Sequence, residues 1–192
     1  MIQAKKINYK TDAVSQEVFD VHIQLYHGYC KKVNEIYNRL QRDSGHVEAN
    51  KNFSQFRSLK KELSYNLDSV ILHEMYFKNL GKKDESKPSQ VFIDVTRPMG
   101  GYEYWQKDFI ATAKSARGFC IAAYEQRTGR LQNVLLDSYS DGLILNMFPL
   151  VLVDVYEHAY SDHLTDIDKY LQNVMQSLCW NTINRRMEAL NG

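Results

Sequence analysis

Phe148-Pro149-Leu150-Val151-Leu152-Val153-Asp154-Val155-Tyr156-Glu157-His158-Ala159-Tyr160 is the stretch on which the reading of this chain turns. A short apolar, β-branched run opens on a proline and stops at a carboxylate, and an imidazole follows four residues later. The run is too short for a helix and reads as a buried strand. An Asp at the end of such a strand stands where the interior meets a cleft, and one turn of helix brings His158 beside it. A carboxylate with a neutral imidazole is a ligand pair suited to a first-row metal ion. The same spacing also fits an Asp that caps the next helix, followed by a surface His.

Working outward, composition bounds the answer. The chain has 192 residues, 44% of them hydrophobic, enough to bury a sizeable core in one or two domains. Its 24 basic and 23 acidic residues leave a formal charge of +1, so there is no polyanion footprint and no nucleic-acid partner is expected. Thirteen tyrosines and an aromatic share of 12% argue against disorder. No apolar run approaches a membrane span, and Met1-Ile2-Gln3-Ala4-Lys5-Lys6 lacks the apolar segment of a secretory signal. Cys30, Cys120 and Cys179 are odd in number and far apart, which points to a reducing compartment. A cytoplasmic protein with no membrane partner is the expectation.

Toward the N-terminus, Ser15 caps a helix that runs to about Arg42. Val18, His22, Leu25, Tyr29, Val33, Ile36 and Leu40 form its apolar stripe, and Tyr26 and Cys30 share that side. A break at Asp43-Ser44-Gly45-His46 precedes a second helix from about Asn52 to Leu80, closed by Gly81. Its stripe is Leu59, Leu63, Asn66, Leu67, Val70, His73, Phe77 and Leu80. Two such helices with a short polar connection make an antiparallel hairpin whose seam carries one imidazole from each arm. Either His also fits as an ordinary satisfied core residue.

The charged run Lys82 to Pro88 reads as a linker, giving domains 1–84 and 85–192. Beyond it come a helical piece to Arg97 and a helix from Tyr102 to Ser115. A hairpin follows, Gly118 to Tyr124 and Arg130 to Leu136 about the turn Gln126-Arg127-Thr128-Gly129. A loop from Asp137 to Met147 leads into the opening strand. Thr165-Asp166-Ile167-Asp168 has capping-box form, and a helix around Leu178 to Leu190 closes the chain.

Asp154-Val155-Tyr156-Glu157-His158-Ala159-Tyr160 resembles the Asp-Val-Trp-Glu-His-Ala-Tyr signature of the iron/manganese superoxide dismutases at six of seven positions. The segment Asn66 to Leu80 is similar to the one that carries that family's second ligand. Gly118-Phe119-Cys120-Ile121-Ala122 looks like a variant of Gly-Trp-Ala-Trp-Leu, and Gly100-Gly101-Tyr102-Glu103 parallels the turn before it. The resemblance spans about residues 14 to 188. It implies an α+β fold: an N-terminal antiparallel helical hairpin, and a C-terminal α/β domain with a three-stranded antiparallel sheet. It further implies one Fe or Mn ion per chain, held by His22, His73, Asp154 and His158, with an open position for superoxide or another small oxygen species. Zn takes the same ligands but does not change oxidation state.

The surroundings that the resemblance implies depart from the family pattern. The active-site Tyr falls on Cys30, the gateway His on Tyr26, and its Tyr partner across the dimer on Ser161. The positions of the Gln that meets bound solvent fall on Ser69 and Ser140. The Trp lining becomes Phe119, Phe77 and Tyr156, and an expected Arg stands as Ile167. Such outer groups set the redox potential and the acidity of bound solvent, so the chemistry is expected to be retuned. Cys30 fits a proton donor, a radical carrier, a ligand in one oxidation state, or simply a small hydrophobe. His27 matches a second gateway-region His but also fits a helix flank. Glu157 corresponds to the Glu that bridges to the ligand His of a second subunit, implying a two-fold homodimer.

Three functions follow as alternatives. The first is a superoxide dismutase-type oxidoreductase, with an antioxidant role. The second is a metal-dependent oxidase or oxygenase on the same scaffold. The third is a non-catalytic interaction subunit that keeps the fold alone.

Overall fold

Ser15 places its Oγ under the N–H of Val18 at 3.2 Å, and from that cap α1 (Gln16–Arg42) runs for 27 residues. The structure, a computed structural model, describes residues 1–42, 45–160 and 166–190. Asp43, Ser44, Ser161 and Thr165, named above, lie outside the described residues. The second long helix, α2 (Gln55–Asn79), starts three residues later than the periodicity suggests, because Ser54 accepts the Arg57 N–H at 3.0 Å. The two helices pack against each other as the hairpin.

The buried stripes are rotated slightly from the expected ones. On α1 the buried residues are Val18, Phe19, His22, Tyr26, Cys30, Val33 and Ile36, while Leu25, Tyr29 and Leu40 are half-buried. On α2, Ser69, Leu72 and Tyr76 are buried and Leu63 and Leu67 only partly so. Each helix is packed on two sides, by its partner and by the rest of the chain, so the buried arc is wider than one stripe.

After α3 (Gln90–Thr96), capped by Ser89, comes α4 (Tyr102–Ser115). Then β1 (Phe119–Glu125), β2 (Arg130–Leu136) and β3 (Met147–Asp154) form an antiparallel sheet in the order β2-β1-β3. β1 is central, and its first five residues are buried. The pairing of β1 with β3 slips between Ala122 and Ala123, which oppose Val151 and Pro149. Leu150 is the extra residue of this bulge, and the proline, which cannot donate to a ladder, sits beside it on an edge strand. α5 (Ile167–Gln176) is capped by Asp166, whose carboxylate accepts from the N–H groups of Asp168 and Lys169. α6 (Trp180–Glu188) ends the described fold. This is the expected α+β architecture.

Arg186 of α6 ties the two parts together. Its guanidinium donates to the Asn79 side chain, to the Leu150 carbonyl at 2.8 Å and to the Met75 carbonyl at 3.1 Å. It thereby satisfies carbonyls at the C-terminal end of α2 and a backbone group of β3. Among the described residues no helix is long and apolar enough to cross a membrane.

Candidate metal centre

His22 and His73 each use the helix that carries them. His22 Nδ1 lies 2.8 Å from the Val18 carbonyl and His73 Nδ1 2.7 Å from the Ser69 carbonyl. A carbonyl oxygen only accepts, so Nδ1 carries the proton in both rings. In the neutral ring the lone pair is then on Nε2, turned away from the parent helix. Both side chains are fully buried. Tyr76 stacks on His22 at 5.0 Å between ring centroids and fixes its plane.

Asp154 is the last residue of β3, beside Phe119 at the start of β1. Its Oδ1 accepts the Tyr156 N–H at 2.9 Å, an Asx-type turn that ends the strand. Its backbone carbonyl accepts the Tyr170 hydroxyl of α5 at 2.7 Å. The turn leads into a short 3₁₀ segment, Glu157–Ala159, which returns His158 toward the carboxylate. Tyr156 stacks on His158 at 5.5 Å with the planes 13° apart.

The ligand atoms of His22, Asp154 and His158 all lie within 4.8 Å of one another. His22 Nε2 is 3.4 Å and His158 Nε2 3.5 Å from Asp154 Oδ2. His73 stands against this group, its ring centroid 6.1 Å from that of His22. His22 Nε2, His73 Nε2 and Asp154 Oδ2 are buried and make no hydrogen bond. Leaving one such atom unsatisfied costs about 1–3 kcal/mol. Three together, converging from distant segments, fit a cation held by nitrogen and oxygen donors.

The electrostatics favour the ligating protonation states. Burial lowers His73 to a pKa of about 4, so it is neutral at physiological pH. Burial pushes the Asp154 carboxyl up, but the facing His158 and His22 rings outweigh it and hold it well below the usual carboxylate range. Of the four side chains only His158, 28% exposed, reaches the surface, in a cleft it shares with Arg117, Tyr156, Glu157 and Tyr160.

The other expected site residues separate into two groups. Phe119, Phe77 and Tyr156 do border the centre: Phe119 and Phe77 pack on His73 at 6.3 Å and 6.2 Å. Glu157 is exposed in the cleft beside His158. Ser140 requires a correction. It is exposed, and its neighbour Tyr139 turns inward instead, 2% exposed, with its ring 5.6 Å from that of His73. Ser69 is buried, with its hydroxyl donating to the Tyr65 carbonyl of its own helix.

The three residues expected to act in catalysis face elsewhere. The Tyr26 hydroxyl donates to Glu74 at 2.8 Å and accepts from the Lys5 N–H at 2.9 Å, and Lys5 itself pairs with Glu74. Burial pushes the Cys30 thiol above its ordinary pKa, and the charged or polar groups acting on it are Tyr26, Glu74 and Lys5. His27 is exposed, beside Tyr26. The residue of α1 that does reach the centre is Tyr29, whose ring lies 5.4 Å from that of His73. Helical geometry contained the signal: seven residues at about 100° each bring Tyr29 to within about 20° of His22, whereas eight carry Cys30 to about 80°. Tyr76, Tyr139 and Tyr170 were also missed, each being one tyrosine among many.

The hairpin, the antiparallel sheet and the buried donors between them define an α+β metal-binding protein. The sequence matches the family described as iron/manganese superoxide dismutases, C-terminal domain, over residues 87–186. It is 31% identical over 182 residues to the superoxide dismutase [Fe] of Aquifex aeolicus, covering 92% of this chain and 85% of that protein. It is 27% identical over 186 residues to the superoxide dismutase [Fe] of Methanothermobacter thermautotrophicus, covering 92% and 88%. With superoxide dismutase [Mn] 1 of Halobacterium salinarum the identity is 25% over 180 residues, covering 91% and 87%. The chain belongs to the iron/manganese superoxide dismutase family.

Proposed function

We propose that the protein is an iron- or manganese-dependent superoxide dismutase, with one ion per chain held by His22, His73, Asp154 and His158. The observation that carries this is the set of buried donor atoms without hydrogen bonds, Nε2 of His22 and His73 and Oδ2 of Asp154. The relatives named as iron or manganese superoxide dismutases support the choice of ion and substrate. When bound, the ion supplies a one-electron couple, through which two superoxide ions and two protons become dioxygen and hydrogen peroxide.

The protein's own part is preparation. Val18 and Ser69 carbonyls set the tautomers of His22 and His73, and the Asp154 carboxylate supplies the negative charge that a cation needs. Tyr170 and the Tyr156 N–H hold Asp154 in place from both sides. Phe77, Phe119 and Tyr156 keep bulk water from the rings. Tyr26 and Cys30 contribute from outside this wall, through the packing of α1, with His27 exposed beside Tyr26.

The finer features belong to the same reading. Exposed Glu157 next to half-buried His158 supports a two-fold homodimer whose Glu157 meets His158 of the second copy. The absence of regular structure between Gly81 and Gln90 supports a boundary between domains 1–84 and 85–192. The widely separated free cysteines support a cytoplasmic site of action.

The test is metal analysis of protein purified without added metal, followed by a superoxide assay and sedimentation. Iron or manganese near one ion per chain, with dismutation, supports the proposal. Protein that takes up neither metal when both are offered overturns it.

A further inference from the structure

Residues 1–12 form neither helix nor strand, yet they are fastened to the helical hairpin at three points. The Ile2 N–H donates to the Asn34 side chain of α1 at 2.7 Å, and the Asn34 carboxamide donates back to the Ile2 carbonyl at 2.8 Å. The Lys5 N–H donates to the Tyr26 hydroxyl at 2.9 Å, and the Lys5 ammonium pairs with Glu74 of α2. Farther on, the Asp12 N–H donates to the Gly81 carbonyl at 3.1 Å, and the Asp12 carboxylate pairs with Lys82 at 2.8 Å.

Between the second and third fastenings, this segment and α2 line a cavity of about 290 Å³, at the low end of the roughly 300–1,000 Å³ usual for small-molecule sites. Its described lining holds four lysines, Lys5, Lys6, Lys10 and Lys78, against one carboxylate, Glu74. Glu74 is already committed: one oxygen accepts the Tyr26 hydroxyl at 2.8 Å and the other pairs with Lys5. Lys6, Lys10 and Lys78 are exposed and, among the described residues, make no ion pair. Three positive charges therefore stand in excess at one cavity of a chain whose whole formal charge is +1. Like charges gathered this way repel one another, and an anion placed among them relieves the repulsion. The apolar part of the lining is half-buried Ile7 and Phe77, the latter 7% exposed.

We infer that this cavity binds a small phosphate monoester with an apolar body, its dianionic head among Lys6, Lys10 and Lys78 and its body against Ile7 and Phe77. A phosphate presents several acceptor oxygens to donors arriving from separate directions, and lysine meets it as a mobile point charge. A single carboxylate would leave most of the excess charge unmatched. The fastenings at Asn34, Tyr26 and Gly81 hold the wall in place before the ligand arrives, which keeps the ordering cost of binding low. The site is separate from the metal centre and depends neither on the ion nor on the reaction. Phe77 is the wall the two share, its ring 6.2 Å from that of His73.

The test uses the full-length protein as purified, with phenyl phosphate as the probe in isothermal titration calorimetry at low salt. Phenyl phosphate should bind saturably and more tightly than inorganic phosphate, and sodium chloride should weaken it. Lys78→Glu should raise its dissociation constant by roughly tenfold or more. Lys6→Glu, outside any helix, gives the same reading should Lys78→Glu fold poorly. Ile7→Asn should weaken phenyl phosphate and leave inorganic phosphate unchanged. In metal-loaded protein, saturating azide should leave the phenyl phosphate constant as it was.

Co-sedimentation with phosphatidic-acid vesicles that Lys78→Glu abolishes would support the same site, with a lipid headgroup as the source of the phosphate. No saturable binding, equal affinity for phenyl and inorganic phosphate, or an affinity untouched by both charge reversals overturns the inference. Displacement by azide also overturns it, because the phosphate would then sit at the metal centre.

Discussion

Nε2 of His22 and Oδ2 of Asp154 face each other at 3.4 Å, fully buried, and neither makes a hydrogen bond. One atom comes from the second turn of the first helix and the other from the end of the last strand, so only the folded chain opposes them. Asp154→Ala should leave imidazoles alone at the centre. Loss of an outer partner of a ligand already lowers metal affinity by about 10–100-fold. Loss of the carboxylate should exceed about a hundredfold, read by metal analysis after dialysis against a chelator. Full iron or manganese occupancy in this variant would show that the carboxylate is not a ligand.

His73 gives the metal-free protein a defined acid sensitivity. Its pKa is lowered to about 4 by burial, against 6.5 for a free imidazole. The unfolded chain therefore takes up the proton more readily than the folded one, and stability rises with pH. The contribution is fully present above about 6.5 and is lost as pH falls through the window down to 4, amounting to roughly 3 kcal/mol. In the folded protein the proton and the ion compete for the His73 lone pair only as pH approaches 4, so metal affinity should fall there. Urea midpoints of the metal-free protein at pH 7.5 and 4.5 measure it; His73→Phe should flatten the difference.

Arg186 is a half-buried cation whose partners are carbonyl and carboxamide oxygens from α2 and β3. Arg186→Met keeps much of the length and leaves the Asn79, Leu150 and Met75 oxygens without this donor. Each buried acceptor left unpaired costs about 1–3 kcal/mol, so a loss of about 3 kcal/mol or more is expected in chemical denaturation. A variant within about 0.5 kcal/mol of wild type would mean that these oxygens find other donors.

Gly142 holds the loop that delivers Tyr139. Its φ is +102°, and a Cβ there would lie 2.5 Å from the Leu135 carbonyl oxygen, a backbone atom that cannot swing aside. Gly142→Ala should destabilise by about 2–4 kcal/mol, combining left-handed strain with displacement of the β2 end. Thermal and urea unfolding read it directly. An unperturbed variant would require a different loop conformation.

Much of the fold can be read residue by residue. The Ser15 cap, the glycine-bearing hairpin turn and the apolar run ending at Asp154 are local signals, and each produced the expected element. His22 and His73 stand at core-facing helical positions and His158 follows Asp154 by four residues, but these patterns also fit core or surface histidines, and the ligand set was what the family resemblance implied. The resemblance implied Cys30, eight residues past His22, beside the centre, whereas the angle per residue brings Tyr29 nearer to it. In the β2–β3 loop no periodicity exists to count, so nothing local distinguishes inward Tyr139 from outward Ser140.

The sequence by itself determined the elements and their order, because these depend on backbone propensity, and it supplied the residue types able to ligate a metal, among which the family resemblance singled out four. Which tyrosines border the centre, and that the Tyr26 hydroxyl is engaged with Glu74 and Lys5 instead, was decided only by the tertiary structure. Those contacts join residues far apart in the chain, and ring against ring they depend on how helix, loop and sheet pack together.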